Sequence, residues 1–230
     1  MKKALLTFIL LLTALAASCQ AQKDPLTGKR IAFIGDSYVY NHHEPQSNTW
    51  HYKFAKKHGM VYLNYGRNGT CIAIDRKGTH DEAIYKRATK MSDSLDYIVV
   101  IAGHNDANRI PPYVTKPDTI SEELLRSRLA LLCDTLISKY PKAGIFFFTP
   151  WPNPDKPNME RVIDIIKQVA GSRAIPVFDS RMSGIHVCNP AFRKLYFQKP
   201  DDTAHLNARG HDLFLPIAEE FLLRYMNVKN

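Results

Sequence analysis

The segment Arg30–Tyr40 contains a candidate nucleophile, Ser37, in the triplet Gly35-Asp36-Ser37. The apolar run Ile31–Ile34 before it is typical of a buried strand in a parallel sheet. Open α/β sheets bind their ligands at the carboxyl ends of the strands. A serine hydroxyl at such an end could attack an acyl group if a neighbouring base removed its proton. All three residues of the triplet also favour turns, so the triplet alone does not distinguish a nucleophile from a plain turn.

Three other polar segments could supply the groups that such a serine needs. The stretch Gly66–Thr70 follows a second strand-like segment, and Gly103-His104-Asn105-Asp106 follows a third. The stretch Asp201–His205 stands shortly before the last predicted helix. The first two should meet Ser37 because the ends of parallel strands lie along one edge of a sheet.

Hydrophobic patterning predicts the elements that position these segments. Apolar runs predict five strands: Ile31–Ile34, Met60–Tyr65, Tyr97–Ala102, Ala143–Phe148 and Ile175–Phe178. Amphipathic segments predict helices from Asn48 or Thr49 to His58, and over Asp81–Met91, Ser121–Lys139, Met159–Ala170 and Asn207–Tyr225. This alternation predicts an α/β fold, a three-layer α/β/α sandwich around a five-stranded parallel sheet. Residues 22–230 suit a single domain.

The four polar blocks, in this order, resemble those of the SGNH (GDSL-like) hydrolase superfamily over roughly residues 30 to 225. G-D-S matches the first block, G-H-N-D the G-x-N-D block and D-T-A-H the D-x-x-H block, while the Gly69 segment matches more loosely. Tyr38 replaces the leucine of G-D-S-L, which leaves the nucleophile unchanged. The resemblance implies a flavodoxin-like fold and an esterase that works through an acyl-enzyme.

The resemblance also implies catalytic roles for Ser37, His205 and Asp202. Ser37 would be the nucleophile and His205 its base, since imidazole titrates near neutral pH. Asp202 would bind the second ring nitrogen of His205 and fix its tautomer. Asp201 is a rival for that role, although its spacing to His205 departs from the family pattern.

The resemblance further implies an oxyanion hole. Its donors would be the backbone N–H groups of Ser37 and Gly69 and the side-chain amide of Asn105. Gly66 competes with Gly69 for this role, because the same loop contains both glycines. Asp36 and Asp106 are expected to fix loops by accepting backbone N–H bonds rather than to catalyse.

Aromatic and polar residues near the blocks indicate the substrate class. Tyr38, His104 and Trp151 are the predicted substrate-binding residues, and such a mixture suits a sugar ring better than a long acyl chain. The favoured function is removal of O-acetyl groups from carbohydrate. The alternatives are a lipid or short-chain acyl esterase, an acyltransferase, and a catalytically inactive glycan-binding protein at the cell surface. His42 and His43 either line the site or belong to a solvated loop.

Composition argues against several other functions. The net charge of +9 is scattered without a long basic run, so a nucleic-acid partner is not expected. The nine histidines include no H-E-x-x-H and no cluster with zinc spacing, so neither metal nor cofactor is expected. The three cysteines of the domain form no C-x-x-C motif: Cys71, Cys133 and Cys188. Which of them would pair in a disulfide stays open.

The first 21 residues have the pattern of an export signal. Lys2 and Lys3 precede an apolar run, Ala4–Ala17, that is too short to span a bilayer. One interpretation is cleavage before Cys19, in a segment that resembles a bacterial lipobox, with a lipid anchor on that cysteine. The other is cleavage before Gln22. Either predicts an exported protein that is periplasmic, at the cell surface or secreted.

Overall fold

A single five-stranded sheet forms the centre of the computed structural model, which describes residues 23–112, 114 and 118–226. Its strands are all parallel and lie in the order β2-β1-β3-β4-β5. Their bounds are β1 (Arg30–Gly35), β2 (Val61–Gly66), β3 (Tyr97–Ile101), β4 (Gly144–Phe148) and β5 (Val177–Phe178). This is the flavodoxin-like order, in which ligands bind where the strand order reverses, here between β1 and β3. The predicted fold class is confirmed.

Helices connect the strands and cover both faces of the sheet. They are α1 (Ser37–Tyr40), α2 (Trp50–Lys57), α3 (Ile84–Arg87), α4 (His104–Ala107), α5 (Glu122–Lys139), α6 (Pro157–Gly171), α7 (Pro190–Tyr196) and α8 (Ala208–Tyr225). Short 3₁₀ segments cover Gln46–Asn48, Ala88–Lys90 and Ser180–Met182. Thr49, Ser121 and Asn207 cap α2, α5 and α8, because each side chain accepts a backbone N–H bond from the first turn.

The helix predicted over Asp81–Met91 is shorter in the structure. The backbone N–H of Ala83 donates to the Asp75 carboxylate at 2.8 Å, and Ala83 itself is extended. The helix therefore begins only at Ile84 and passes into a 3₁₀ turn after four residues. The fifth strand is also shorter than predicted, with two residues instead of four.

Alternate side chains of the strands build two hydrophobic cores, one on each face of the sheet. Ile34, Val100 and Phe147 pack on one face with residues of α5 and α6. Phe33, Val99 and Phe148 pack on the other with residues of α2 and α8. Because both faces are packed, the carboxyl ends of β1, β3 and β4 are fixed from both sides.

Two predictions concern the surroundings of the domain. The predicted signal segment, residues 1–21 with Cys19, lies outside the described residues. No helix in the described part of the chain is long and apolar enough to cross a membrane.

Cys71 and Cys133 are buried, Cys188 is exposed, and all three are free thiols.

Candidate active site

Ser37 is the first residue of α1, immediately after β1. Gly35 ends the strand at a point where a side chain would collide with the Ile101 carbonyl oxygen, so the chain can turn here only without a Cβ. Asp36 caps α1, and its Oδ1 accepts the N–H of Tyr38 at 2.9 Å. The Ser37 hydroxyl is thereby held at the carboxyl edge of the sheet with little freedom to move.

His205 and Asp202 reach this hydroxyl from the carboxyl-terminal part of the chain. The Oγ of Ser37 lies 2.8 Å from Nε2 of His205, and Nδ1 of His205 lies 2.8 Å from Oδ2 of Asp202. The other oxygen of Asp202 accepts the backbone N–H groups of Ala204 and His205. Asp201, the rival, is exposed. The structure thus brings the three residues predicted as catalytic into one hydrogen-bonded chain.

The charge on Asp202 favours this arrangement. Burial alone raises the pKa of the Asp202 carboxyl, but the hydrogen bond from His205 and the two backbone donors outweigh it and lower that pKa to about 2. An ionised carboxylate beside Nδ1 favours the tautomer that keeps its proton there. Nε2 is then free to accept the proton of Ser37.

A short turn holds His205 in place. The backbone N–H of Gln198 donates to the His205 carbonyl at 2.9 Å, and Phe197 and Leu206 form an antiparallel bridge. The indole N–H of Trp151 donates to the Ala204 carbonyl at 2.9 Å. Trp151, in the loop that follows β4, therefore fixes the backbone directly before the histidine.

The predicted oxyanion donors lie along the same edge. The side-chain amide of Asn105 donates to the Thr70 carbonyl at 3.1 Å and lies 3.4 Å from Oδ2 of Asp36, so one N–H is only weakly engaged. Gly69 has a φ of 72°, in the left-handed region that favours glycine. The N–H of Gly66 donates to Oδ1 of Asn64 at 2.8 Å. This bond occupies the competing donor, so Gly69 stays the predicted one.

Two buried acids fix the loops, as the sequence predicted. Asp106 accepts the N–H groups of Ile72 and Ala73, which anchors the loop that follows Gly69. Burial raises the pKa of Asp106 to about 6 and that of Asp36 to about 7. In each case the backbone N–H bonds that the carboxylate accepts lower its pKa and so oppose the effect of burial.

This geometry agrees with the comparison against known families. Residues 33–213 match the GDSL-like Lipase/Acylhydrolase family. The chain belongs to this family. As a GDSL-like hydrolase it is an enzyme, and the matched segment contains Ser37, Asn105, Asp202 and His205. Among curated proteins, none matched the chain significantly.

Solved structures with the same fold include several esterases. A protein from Lactobacillus plantarum is 22% identical, with a TM-score of 0.69, over 86% of this chain and 98% of its own. A carbohydrate acetylesterase from Sinorhizobium meliloti is 14% identical, with a TM-score of 0.63, over 86% and 100%. A family two carbohydrate esterase from Clostridium thermocellum is 13% identical, with a TM-score of 0.63, over 87% and 65%. At these identities the likeness shows the fold.

The GDSL-like hydrolase also contains a buried guanidinium that sequence reasoning did not single out. Arg87 of α3 donates to the carbonyl oxygens of Gly35, Tyr65 and Glu82 and to the Thr70 hydroxyl. It thereby joins the ends of β1 and β2 to the loop that contains Gly69. Burial lowers the pKa of Arg87 to about 10, so the group remains charged at neutral pH. In the sequence it is one of several basic residues near a short helix, and nothing in that pattern marks it.

The three predicted substrate-binding residues form one cluster beside Ser37. Tyr38 packs edge-on against Trp151 and His104, with ring centroids 5.6 and 5.8 Å apart. Tyr38 and Trp151 expose only 8% and 5% of their surface. Burial lowers the pKa of His104 to about 3, so its ring is neutral. The cluster forms a wall of the site, and its contact with substrate stays a prediction.

A metal site is not evident in the described ranges. There, no group of three His, Cys, Asp or Glu side chains is placed to hold a metal ion.

Proposed function

We propose that this GDSL-like hydrolase removes small acyl groups, above all O-acetyl groups, from carbohydrate through an acyl-enzyme on Ser37. The observation that supports this most directly is the small space beside the nucleophile. The cavity lined by Ser37 and His205 has a volume of about 10 Å³, roughly that of one water molecule. Large aromatic side chains fill the region behind it: Tyr38, Trp50, Phe148, Trp151 and Phe214. These side chains leave no channel for a long acyl chain, so an acyl group that points this way would have to be short.

A groove at the carboxyl end of β2 supports a carbohydrate as the alcohol part of the ester; Ser37 does not line it, but Tyr40 of the same helix does. It has a volume of about 700 Å³ and begins at Tyr40, the last residue of α1. Gly66 and Arg67, which precede the Gly69 loop, line it as well. The other lining side chains are mostly polar: Gln46, Asn64, Tyr65, His80, Asp81, Glu82, Arg87 and Lys90.

The chemistry of this groove is that of a sugar-binding surface. Tyr40 is 43% exposed, and its ring could stack on the apolar face of a sugar. Amide, guanidinium and carboxylate groups can bind sugar hydroxyls. The likeness to two carbohydrate esterases agrees with this substrate by analogy of fold. An exported location, which residues 1–21 predict, would bring the enzyme to polysaccharides.

The proposed reaction has two halves. Ser37 Oγ attacks the acyl carbon while His205 Nε2 takes its proton, and N–H groups of Ser37, Gly69 and Asn105 bind the oxyanion. The bond from the acyl carbon to the sugar oxygen breaks, and His205 gives its proton to that oxygen. Water then attacks the acyl-enzyme as His205 takes a proton from it. The acid leaves, and the proton returns to Ser37.

The substrate proposal is tested with acyl groups of different length on otherwise matched esters. We expect kcat/KM for p-nitrophenyl acetate to exceed that for p-nitrophenyl decanoate by at least about tenfold, and acetate to be released from O-acetylated xylo- or gluco-oligosaccharides. Ser37→Ala should abolish both activities. A preference for decanoate, or release of fatty acid from lysophospholipid with no release of acetate from sugars, would favour the lipid esterase. Equal rates in wild type and Ser37→Ala would overturn the assignment of Ser37 as nucleophile, whereas no hydrolysis above background by the wild type would favour a binding protein without catalysis.

The groove is tested with Tyr40→Ala. The variant should lower kcat/KM for acetylated oligosaccharides by about fivefold, because stacking on an aromatic ring contributes about 1 kcal/mol, and should leave p-nitrophenyl acetate unaffected. Tyr225→Ala is the matched control, since Tyr225 is equally exposed at the far end of α8. An equal loss on both substrates would contradict a role of Tyr40 in sugar binding.

A further inference from the structure

The imidazole of His42 lies flat against that of His205. The two ring centroids are 4.3 Å apart and the ring planes differ by 19°. Tyr38 approaches His205 at a longer distance, 6.3 Å, with its ring plane tilted by 40°. His42 is therefore the aromatic ring in closest parallel contact with the proposed base.

An uncommon backbone conformation places His42 there. Asn41 and His42 have φ values of 74° and 43°, in the left-handed region that costs a side-chain-bearing residue about 1 kcal/mol or more. Three contacts of Asn41 hold this turn. Its amide donates to the Pro45 carbonyl at 2.7 Å, and its Oδ1 accepts from Gln198 and lies 3.2 Å from Nε2 of His211. Elements from three parts of the chain thus support a strained turn that ends in one stacking contact.

We propose that His42 is a positioning residue whose ring, held by this turn, stacks on His205 and keeps Nε2 directed at Ser37. Asp202 binds His205 at a single ring nitrogen by one hydrogen bond, so the imidazole could still rotate about its Cβ–Cγ bond. A flat ring 4.3 Å away restricts this rotation on one face. The proposal rests on the role of His205 as base, but it does not depend on which ester the enzyme cleaves.

The charge state of His42 agrees with this role. The groups that face it are His205, His43, Asp202 and Lys199. Burial and the charges of His205, His43 and Lys199 lower the pKa of His42, while Asp202 opposes them. His42 is therefore neutral at neutral pH. A neutral ring over the imidazolium that forms during proton transfer is favourable, whereas a second imidazolium would repel it.

The test compares two replacements of His42 on p-nitrophenyl acetate. His42→Gly removes the ring and relieves the left-handed backbone, so the variant should be at least as stable as the wild type. Its kcat should fall by about tenfold with KM within twofold, because the base and not the substrate is misplaced. His42→Phe keeps a flat ring, so its kcat should stay within about threefold of wild type. His186→Ala, which replaces an exposed histidine, is the control.

The acid limb of the pH profile gives an independent readout. Protonation of His42 below its lowered pKa would place a second positive ring against the imidazolium that forms during proton transfer, so the acid limb should be steeper in wild type than in His42→Phe. Unchanged kcat in His42→Gly, or loss in His42→Phe as large as in His42→Gly, would overturn the proposal. If His205→Ala were as active as wild type, the proposed function itself would fail, whatever His42 does.

Discussion

The two halves of the candidate active site are held by different physical means. The nucleophile half contains charged side chains that are buried under the sheet edge: Asp36, Arg87 and Asp106. In the base half, His205 and Asp202 keep 17% and 14% of their side-chain surface exposed, on a turn held by backbone hydrogen bonds and by the indole of Trp151. Disturbing the first half should therefore damage the fold together with the activity. Disturbing the second should mainly damage the activity.

The largest effect is expected in the base half. Asp202→Asn should lower kcat by about 10³- to 10⁴-fold, because the amide no longer favours the tautomer with the proton on Nδ1. The free energy of unfolding should fall by only about 1–2 kcal/mol. Steady-state kinetics and urea unfolding measure both quantities. Asp201→Asn is the matched control and should stay within about twofold of wild type; a loss like that of Asp202→Asn would mean that the orienting acid is misassigned.

In the nucleophile half, a replacement should lower the free energy of unfolding strongly, and activity should fall with it. Arg87→Met removes the guanidinium bonds to three carbonyl oxygens and a hydroxyl, of which the Gly35 carbonyl keeps the N–H of Arg67, so the free energy of unfolding should fall by about 3 kcal/mol or more. Activity should fall as the loop around Gly69 loosens. Arg67→Met replaces an exposed guanidinium at the same edge and should change stability by less than about 0.5 kcal/mol. Similar stabilities for the two variants would remove the distinction drawn between the halves.

A smaller effect should follow from Trp151→Phe. The replacement keeps the aromatic packing but removes the hydrogen bond to Ala204. Loss of that bond should cost about 1 kcal/mol, and kcat should decrease several-fold because the backbone before His205 is less well fixed. Unfolding curves and the rate with p-nitrophenyl acetate measure both. A kcat equal to that of wild type would show that the base half does not depend on this bond.

The last prediction concerns the pH dependence of stability, where the two halves should have opposite signs. The lowered pKa of Asp202 gives stability that is present above about pH 4 and lost as pH falls toward about 2. The raised pKa of Asp36 gives stability that is present below about pH 4 and lost as pH rises through about 7.

Single replacements separate these two contributions. Relative to wild type, Asp36→Asn should gain stability as pH rises from about 4 to 7, and Asp202→Asn should gain it as pH falls from about 4 to 2. Urea unfolding across this range measures the differences. Parallel trends in the two variants would contradict the opposite shifts.

Much of the fold could be predicted because its signals are local. The strand Tyr97–Ile101 is a continuous apolar run, and Ser121 and Asn207 are favourable helix caps. The helix Pro190–Tyr196 was missed, although Asn189 caps it and proline stands at its first position. With seven residues it is too short for a period to be read, and its apolar side chains Phe192 and Tyr196 are only partly buried against the core.

The site was predictable where four short motifs define it and not where distant residues complete it. Ser37, Asp202 and His205 follow from the motifs, and the structure places them in contact. The buried bonds of Arg87 depend on carbonyl groups that come together only in the folded chain. The stacking of His42 depends on a left-handed turn at Asn41 and His42; both residue types are enriched in that conformation, but nothing in the sequence indicates that the turn meets His205.

The central claim is that Ser37 accepts the acyl group with His205 as its base. It is tested most directly by quenching the reaction with p-nitrophenyl acetate in acid and locating the acetyl group by peptide mass spectrometry. The account predicts acetyl on the peptide that contains Ser37 in the wild type, and neither acetyl nor turnover in Ser37→Ala. Turnover with no acetyl on Ser37 under conditions where deacylation limits the rate, or undiminished turnover in Ser37→Ala, would contradict it.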